Sequence, residues 1–205
     1  MITFKKWLES SALDQKASQT FVTQNWDQNA ILYALGLQPT KLNKVNTGSF
    51  ATIYQYPNDP NKVIKVTSDK TDAHRLVNAQ KLNSPNIVKI YKSAQLANGS
   101  IILVSDFING ASIPYTSNTM SALITGKNMM DSAVNASRKI LQPGTSPYRD
   151  RILQKFGHDD AHERQKLSEL FMTLARLERM GIDINDFTDN VIDNGQHYVI
   201  IDMGL

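Results

Sequence analysis

Apolar residues recur at helical spacing along the first part of the chain: Phe4, Trp7 and Leu8, then Phe21, Trp26, Ile31, Leu32 and Leu35. Residues 3–35 therefore read as mostly helical, with Gly36 as a C-cap and Pro39 as a stop. From about residue 42 the period falls to two. In "VNTGSFATIYQY", Phe50, Thr52, Tyr54 and Tyr56 alternate with Ala51, Ile53 and Gln55. "YPNDPNK" is a turn by composition and "KVIKVTS" a second strand, so the pieces predict a hairpin. "DKTDAHRLVNAQKLNS" predicts a short helix ended by Asn83-Ser84-Pro85. "NIVKIYKSAQL", the turn "ANGS" and "IILVSDFI" predict another hairpin. The run strand, strand, helix, strand, strand over residues 42–108 is a self-consistent small α+β unit.

After "NGAS" the pattern changes again. Residues 115–180 lack strand signals. "MSALITGKNMMDSAVNASRKIL" and "DDAHERQKLSELFMTLARLERM" read as helices with "QPGTSPYRD" between them. In the second, Leu167, Leu170, Phe171, Leu174, Leu177 and Met180 form one apolar stripe, closed by a helix stop at Gly181. Two short strands, "NVID" and "HYVIID", follow around Asn194-Gly195, a strong two-residue hairpin signal.

Composition narrows the classes. The chain has 205 residues, 41% hydrophobic and 20% charged, which suits a globular protein of one large domain or two small lobes. No apolar run approaches a membrane span, and "MITFKKWLESSALDQ" has no apolar core behind Lys5 and Lys6 to read as a secretory signal. There is no cysteine, so disulfides and thiolate metal sites are excluded, and a cytoplasmic location is the expectation. The formal charge of +3 is spread over scattered lysines and arginines, which is no nucleic-acid signature.

Candidate chemistry is modest piece by piece. Gly48 in "NTGSFATIYQY" allows a close approach of backbone amides to a ligand. Lys65 in "KVIKV" points to the same face as Val63, although a strand lysine more often faces solvent. "IILVSDFINGASI" runs from an apolar strand into a turn, and backbone groups just after such a strand can hydrogen-bond a flat heterocycle, though a plain turn is the commoner reading. Asn190 and Asp202 bracket the final hairpin, and a carboxylate with an amide oxygen is how Mg²⁺ is held on a phosphate. The plain alternative is turn chemistry, since Asx residues cap loops everywhere.

Taken in order, "GSFATIY", "VIK", a helix, "SPNIVKIY", "LVSDFINGASI", "NVI" and "IDMG" resemble the protein kinase family over roughly residues 42–205. The resemblance implies a two-lobed α+β fold: an N-terminal helical extension over 1–41, an N-lobe with an antiparallel sheet and one helix over 42–108, and a truncated, mostly helical C-lobe over 109–205. It implies that Gly48, Ser49 and Phe50 cover the phosphates of ATP and that Lys65 pairs with the α- and β-phosphates. Ser105 would be the gatekeeper, Asp106 to Ile108 the hinge against adenine, and Asn190 and Asp202 the Mg²⁺ ligands.

The chain departs from the family pattern in several places. Ala51 stands where a second glycine is usual. Arg75 stands where the family places a glutamate on the helix, and Asp72, one turn earlier, is the substitute within reach of Lys65. The catalytic base position holds Asn185. Asp186, one residue on, is the candidate base, with Asp183 as runner-up. The His-Arg that normally precedes the base is absent. The sequence stops at Leu205, just after Asp-Met-Gly, so the expectation is a minimal enzyme without an activation loop. In this it is similar to the small protein kinases of tailed phages, which act in the host cytoplasm.

The function expected from the resemblance is an ATP- and Mg²⁺-dependent phosphotransferase acting on Ser or Thr of a protein, without membrane or specific nucleic-acid partners. The rivals are a pseudokinase that binds nucleotide without turnover, a kinase-fold enzyme with a small-molecule acceptor, and AMP transfer. The oligomeric state is left open.

Overall fold

A computed structural model of the chain describes residues 26–48, 50–113, 161–182 and 190–203. The helices expected before residue 26 and over 120–141 lie outside the described residues. The chain forms two compact units, one of residues 1–80 and 88–109, the other of residues 81–87 and 110–205. The described residues 26–41 fall in the same unit as the first sheet, and the loop 81–87 in the second unit.

The first unit opens with helix α1 (Gln28–Leu35). Asp27 caps it by accepting from Asn29 N–H. Gly36 ends it at φ 67°, a left-handed conformation that costs a glycine little. Leu37 N–H then reaches back to Leu32 C=O at 2.8 Å, closing the turn. Lys92 adds a charged cap, its ammonium 2.6 Å from Leu35 C=O.

Five antiparallel strands follow: β1 (Lys44–Thr47), β2 (Ala51–Gln55), β3 (Lys62–Thr67), β4 (Ile90–Gln95) and β5 (Ile101–Asp106), in the order β1-β2-β3-β5-β4. Helix α2 (Lys70–Ala79) and a 3₁₀ turn (Gln80–Leu82) sit between β3 and β4. The helix and the second hairpin occur where the periodicity placed them, whereas "VNTGSFATIYQY" is split by a turn at Gly48 into β1 and β2, so the sheet has five strands where the run predicted four.

The register sorts the side chains onto two faces. Tyr54 pairs with Ile64, Ile64 with Val104, and Val66 with Ile102. These residues form one core with Ile31, Leu32 and Leu35 of α1 and with Leu42. Ile53, Lys65 and Leu103 stand opposite one another on the other face, because side chains alternate along a strand. β3 and β5 lie inside the sheet and are buried almost throughout, β5 opening with four apolar residues and β3 burying Lys65 and Thr67 beside Val63, Ile64 and Val66.

In the second unit, helix α3 (Ala161–Arg179) ends at Gly181, φ 71°, with Ile182 N–H bonded to Leu177 C=O. Its buried stripe contains Leu167, Leu170, Phe171, Leu174 and Leu177, as the spacing predicts. The closing element differs from the two-stranded hairpin expected. Strands β6 (Ala111–Ser112), β7 (Val191–Asp193) and β8 (Tyr198–Ile200) form a three-stranded sheet. The loop spans residues 194–197 rather than the two residues Asn194-Gly195, since Asp193 pairs with Tyr198. The reason is local. Asn194 Oδ1 accepts from both Gln196 and His197 N–H, and Asp193 Oδ1 accepts from Gly195 N–H, which widens the turn.

β6 gave no sequence signal because two residues show no period. What makes it possible is Gly110: a Cβ there would fall on the Asp193 carbonyl oxygen. The loop 81–87 supplies the other support for β8. Asn86, 1% exposed, donates its amide to Tyr198 C=O, and its own C=O accepts from Ile200 N–H. Its Oδ1 accepts from the Thr173 hydroxyl of α3.

Candidate active site

The first unit places Lys65 where a sequence-only reading does not favour it. The residue is 8% exposed, flanked on its face by Ile53 and Leu103. A lone ammonium in that setting is strongly disfavoured, so it needs an anionic partner. Asp72 supplies one, with Oδ2 2.8 Å from Lys65 Nζ and a side chain 2% exposed.

Local chemistry explains why Asp72 stands there. Thr67 Oγ1 accepts from Asp69 N–H, and Asp69 in turn caps α2 by accepting from Asp72 N–H at 2.9 Å. The cap starts the helix directly after β3 and sets Asp72 in its first turn. There the free N–H groups of the helix favour a carboxylate. Arg75, one turn further along α2, is half-buried. The ion pair of Lys65 thus begins one turn earlier on the helix.

The phosphate-loop candidates are only partly described. Ser49 lies outside the described residues. Gly48 donates its N–H to Ala51 C=O at 2.8 Å, closing the β1–β2 turn. Gly48 is not in the left-handed region, and a Cβ there would meet only Ala51 O at 3.9 Å. The backbone freedom expected of Gly48 is therefore not used in this conformation. Phe50 is 65% exposed at the tip, while its C=O accepts from Ser68 N–H and the Thr67 hydroxyl.

At the end of β5, Ser105 is buried. Asp106 N–H donates to Lys89 C=O, and Phe107 N–H to Asn61 C=O at 2.7 Å. Of the amides of Asp106 to Ile108, that of Ile108 makes no hydrogen bond to a described residue. The Asp106 carboxylate accepts from the Tyr91 hydroxyl at 2.7 Å. That hydrogen bond to Asp106 raises the Tyr91 pKa above the ordinary phenol value, with burial adding to it. Lys62 and Lys89 lie 4.8 and 5.0 Å from the centre of the Tyr91 ring.

In the second unit, Asn190 and Asp202 sit at the open end of the β7–β8 hairpin. Ile201 N–H donates to Asn190 C=O at 2.8 Å, which brings the two strand ends together. Both side chains are half-buried, and Met203 beyond them is fully buried and anchors the chain. Among the described residues no three His, Cys, Asp or Glu side chains gather into a metal cage. The donors at this end are one amide oxygen and one carboxylate. Hard oxygen donors of that number suit Mg²⁺ that takes its remaining ligands from phosphate and water. Asp183, Asn185 and Asp186 lie outside the described residues.

The sequence reading passed over Gly110, Asn86 and Lys166. Gly110 carried the one available signal, an Asn109-Gly110 turn pair a few residues after β5. Asn86 and Lys166 look like surface residues until their distant partners are known.

No protein-family model matches the chain, and no curated protein does. Solved structures with some similarity include Rad53 in complex with AMP-PNP (21% identity, TM-score 0.40), over 79% of this chain and 37% of that one. A second is a mutant of the Mycobacterium tuberculosis PknI kinase domain (13% identity, TM-score 0.38), over 80% of this chain and 60% of that one. A third is a thermostable mutant of aminoglycoside phosphotransferase APH(4)-Ia, apo form (14% identity, TM-score 0.38), over 86% and 71% respectively. The match thus spans less than two thirds of the length of each of the first two. No helix among the described residues is long and apolar enough to cross a membrane.

Proposed function

We propose that the chain is an ATP-dependent phosphotransferase of the protein kinase type, transferring the γ-phosphoryl group to a Ser or Thr hydroxyl of a protein. The observation that carries the reading is the buried Lys65–Asp72 pair, 2.8 Å long, set between a central strand and the first turn of the following helix. An ammonium oriented at low exposure by the Asp72 carboxylate is how a phosphate-pairing lysine is held in place.

Further support comes from the order of elements: a glycine turn, the lysine strand, a helix, a strand pair ending in a hinge, then a hairpin carrying Asn190 and Asp202. In this reading Asn190 and Asp202 hold Mg²⁺, which neutralises phosphate charge when bound. Asp186, with Asp183 as alternative, orients the acceptor hydroxyl. Gly48, Ser49 and Phe50 cover the phosphates, and Asp106 and Ile108 meet adenine through their backbone.

The test is incubation with ATP labelled at the γ-phosphate and Mg²⁺, with the protein itself and a lysate as acceptors. Label is expected with the wild type and lost with Lys65→Met and Asp202→Ala. Equal labelling by Asp202→Ala would sink the reading. Stabilisation by ATP-Mg²⁺ in a thermal shift assay without any labelling would replace it with a nucleotide-binding module. A mass gain of an adenylyl group would replace it with AMP transfer.

A further inference from the structure

Helix α3 carries two charges on the face that its apolar stripe buries. Lys166 is 5% exposed and Glu163 8%. The Lys166 ammonium lies 3.0 Å from Glu163 Oε2 and 2.9 Å from both carboxylate oxygens of Asp193. Three donor protons thus face three anionic oxygens. The ammonium also sits 4.7 Å over the ring of Tyr198, whose hydroxyl donates to Glu163. Asp193 and Tyr198 are opposite one another in the β7–β8 ladder. One helix therefore grips both strands of the hairpin at a single rung.

Burial disfavours the Lys166 ammonium, but its hydrogen bonds to Asp193 and Glu163 outweigh that and hold its pKa above the ordinary lysine value. Such a buried cluster rarely adds net stability over apolar side chains of the same size, and its best-attested use is to fix register. The ladder here is only three pairs long. A slip of one residue would turn every side chain to the opposite face. Two further links join α3 to the loop, His197 to Glu169 at 3.1 Å and His162 to Gly195 C=O at 2.9 Å. They are partly exposed and so constrain it less. The open end of the hairpin, with Asn190, is three residues from Asp193, about 10 Å at roughly 3.3 Å per residue.

We propose that Lys166, with Glu163 and Asp193, is a positioning residue that fixes the β7–β8 register and thereby the spacing of Asn190 and Asp202. The inference rests on the metal-holding role proposed above for those two residues. It makes the buried face of α3 the element that presents the metal ligands, although none of its residues touches the metal.

The test uses the full chain with Lys166→Met and Asp193→Asn. The second variant keeps the Glu163 partner of Lys166 and changes a side chain that is 31% exposed, so it folds even where the first does not. Amide hydrogen exchange is read at Ile201, whose N–H bonds the Asn190 carbonyl, with Ile102 of β5 as control. Mn²⁺ binding in the presence of the ATP analogue AMP-PNP is read by electron paramagnetic resonance. Both variants are expected to speed exchange at Ile201 at least tenfold with Ile102 unchanged. They are also expected to weaken Mn²⁺ at least tenfold while metal-free AMP-PNP affinity stays within twofold. Wild-type Ile201 exchange in a folded variant overturns the proposal. A wild-type protein that binds no Mn²⁺ removes the metal role instead, and the Ile201 exchange then decides the register claim by itself.

Discussion

The two units each bury a lysine, and the two are held in different ways. Lys65 meets Asp72, seven residues away along the chain, across a strand-to-helix junction. Lys166 meets Asp193 at a separation of 27 residues, in a cluster that Tyr198 closes onto Glu163 at a separation of 35. A pair seven residues apart is assembled by local structure: Asp69 caps the helix and Asp72 follows in its first turn. A pair 27 residues apart exists only once helix and hairpin have docked. The first kind leaves a trace in the sequence; the second does not. The comparison also separates roles. In the function proposed above Lys65 pairs with phosphate, while Lys166 has its ammonium directed at the carboxylates of Glu163 and Asp193.

That contrast is most open to attack at Lys166. Lys166→Met strips the cation from the buried Glu163 and the partly exposed Asp193, and a loss of about 2–4 kcal/mol is expected in chemical denaturation, below the range for a fully buried cluster. The triple change Glu163→Gln, Lys166→Met and Asp193→Asn should recover much of that loss, since no charge is then left uncompensated. If the single variant is as stable as the wild type, Lys166 does not hold helix and hairpin together.

The next effect belongs to Lys65. Lys65→Met is expected to lower phosphoryl transfer at least ~100-fold, about 2.7 kcal/mol of barrier. Asp72→Asn, which keeps a hydrogen-bond acceptor, should cost less. A Lys65→Met protein with full turnover would erase the functional half of the comparison.

Gly110 offers a smaller test, confined to the second unit. Gly110→Ala forces a methyl group against the Asp193 carbonyl, and about 1–3 kcal/mol of stability should be lost by overpacking. Gly48→Ala meets only ordinary contact at 3.9 Å and should leave stability within about 0.5 kcal/mol. Thermal unfolding of the two variants side by side checks this.

The smallest effect is in pH. Burial lowers the folded pKa of Lys166, but its hydrogen bonds to Asp193 and Glu163 outweigh that and hold it above the ordinary lysine value. Its pairing is therefore fully present below that value and fades as pH rises through the folded pKa. Stability of the wild type should fall in that alkaline window by more than that of Lys166→Met, as read by denaturation at stepped pH.

The sequence determined the local elements: the period-two strands of residues 44–67 and 90–106, the amphipathic α3, and the helix ends at Gly36 and Gly181. It also brought Asp72 within reach of Lys65, because seven residues with a helix cap between them have few ways to fold. Tertiary structure decided the rest. β6 is two residues long and exists only because Gly110 lets its backbone lie against β7. The hairpin loop became four residues because side chains at Asp193 and Asn194 took its amides. Lys166, Glu163 and Asn86 are polar residues whose partners are far away in sequence, so no local pattern marks them as buried. Burial of a charge or an amide is tolerated only where a matching group is brought to it, and that meeting is a property of the packed chain.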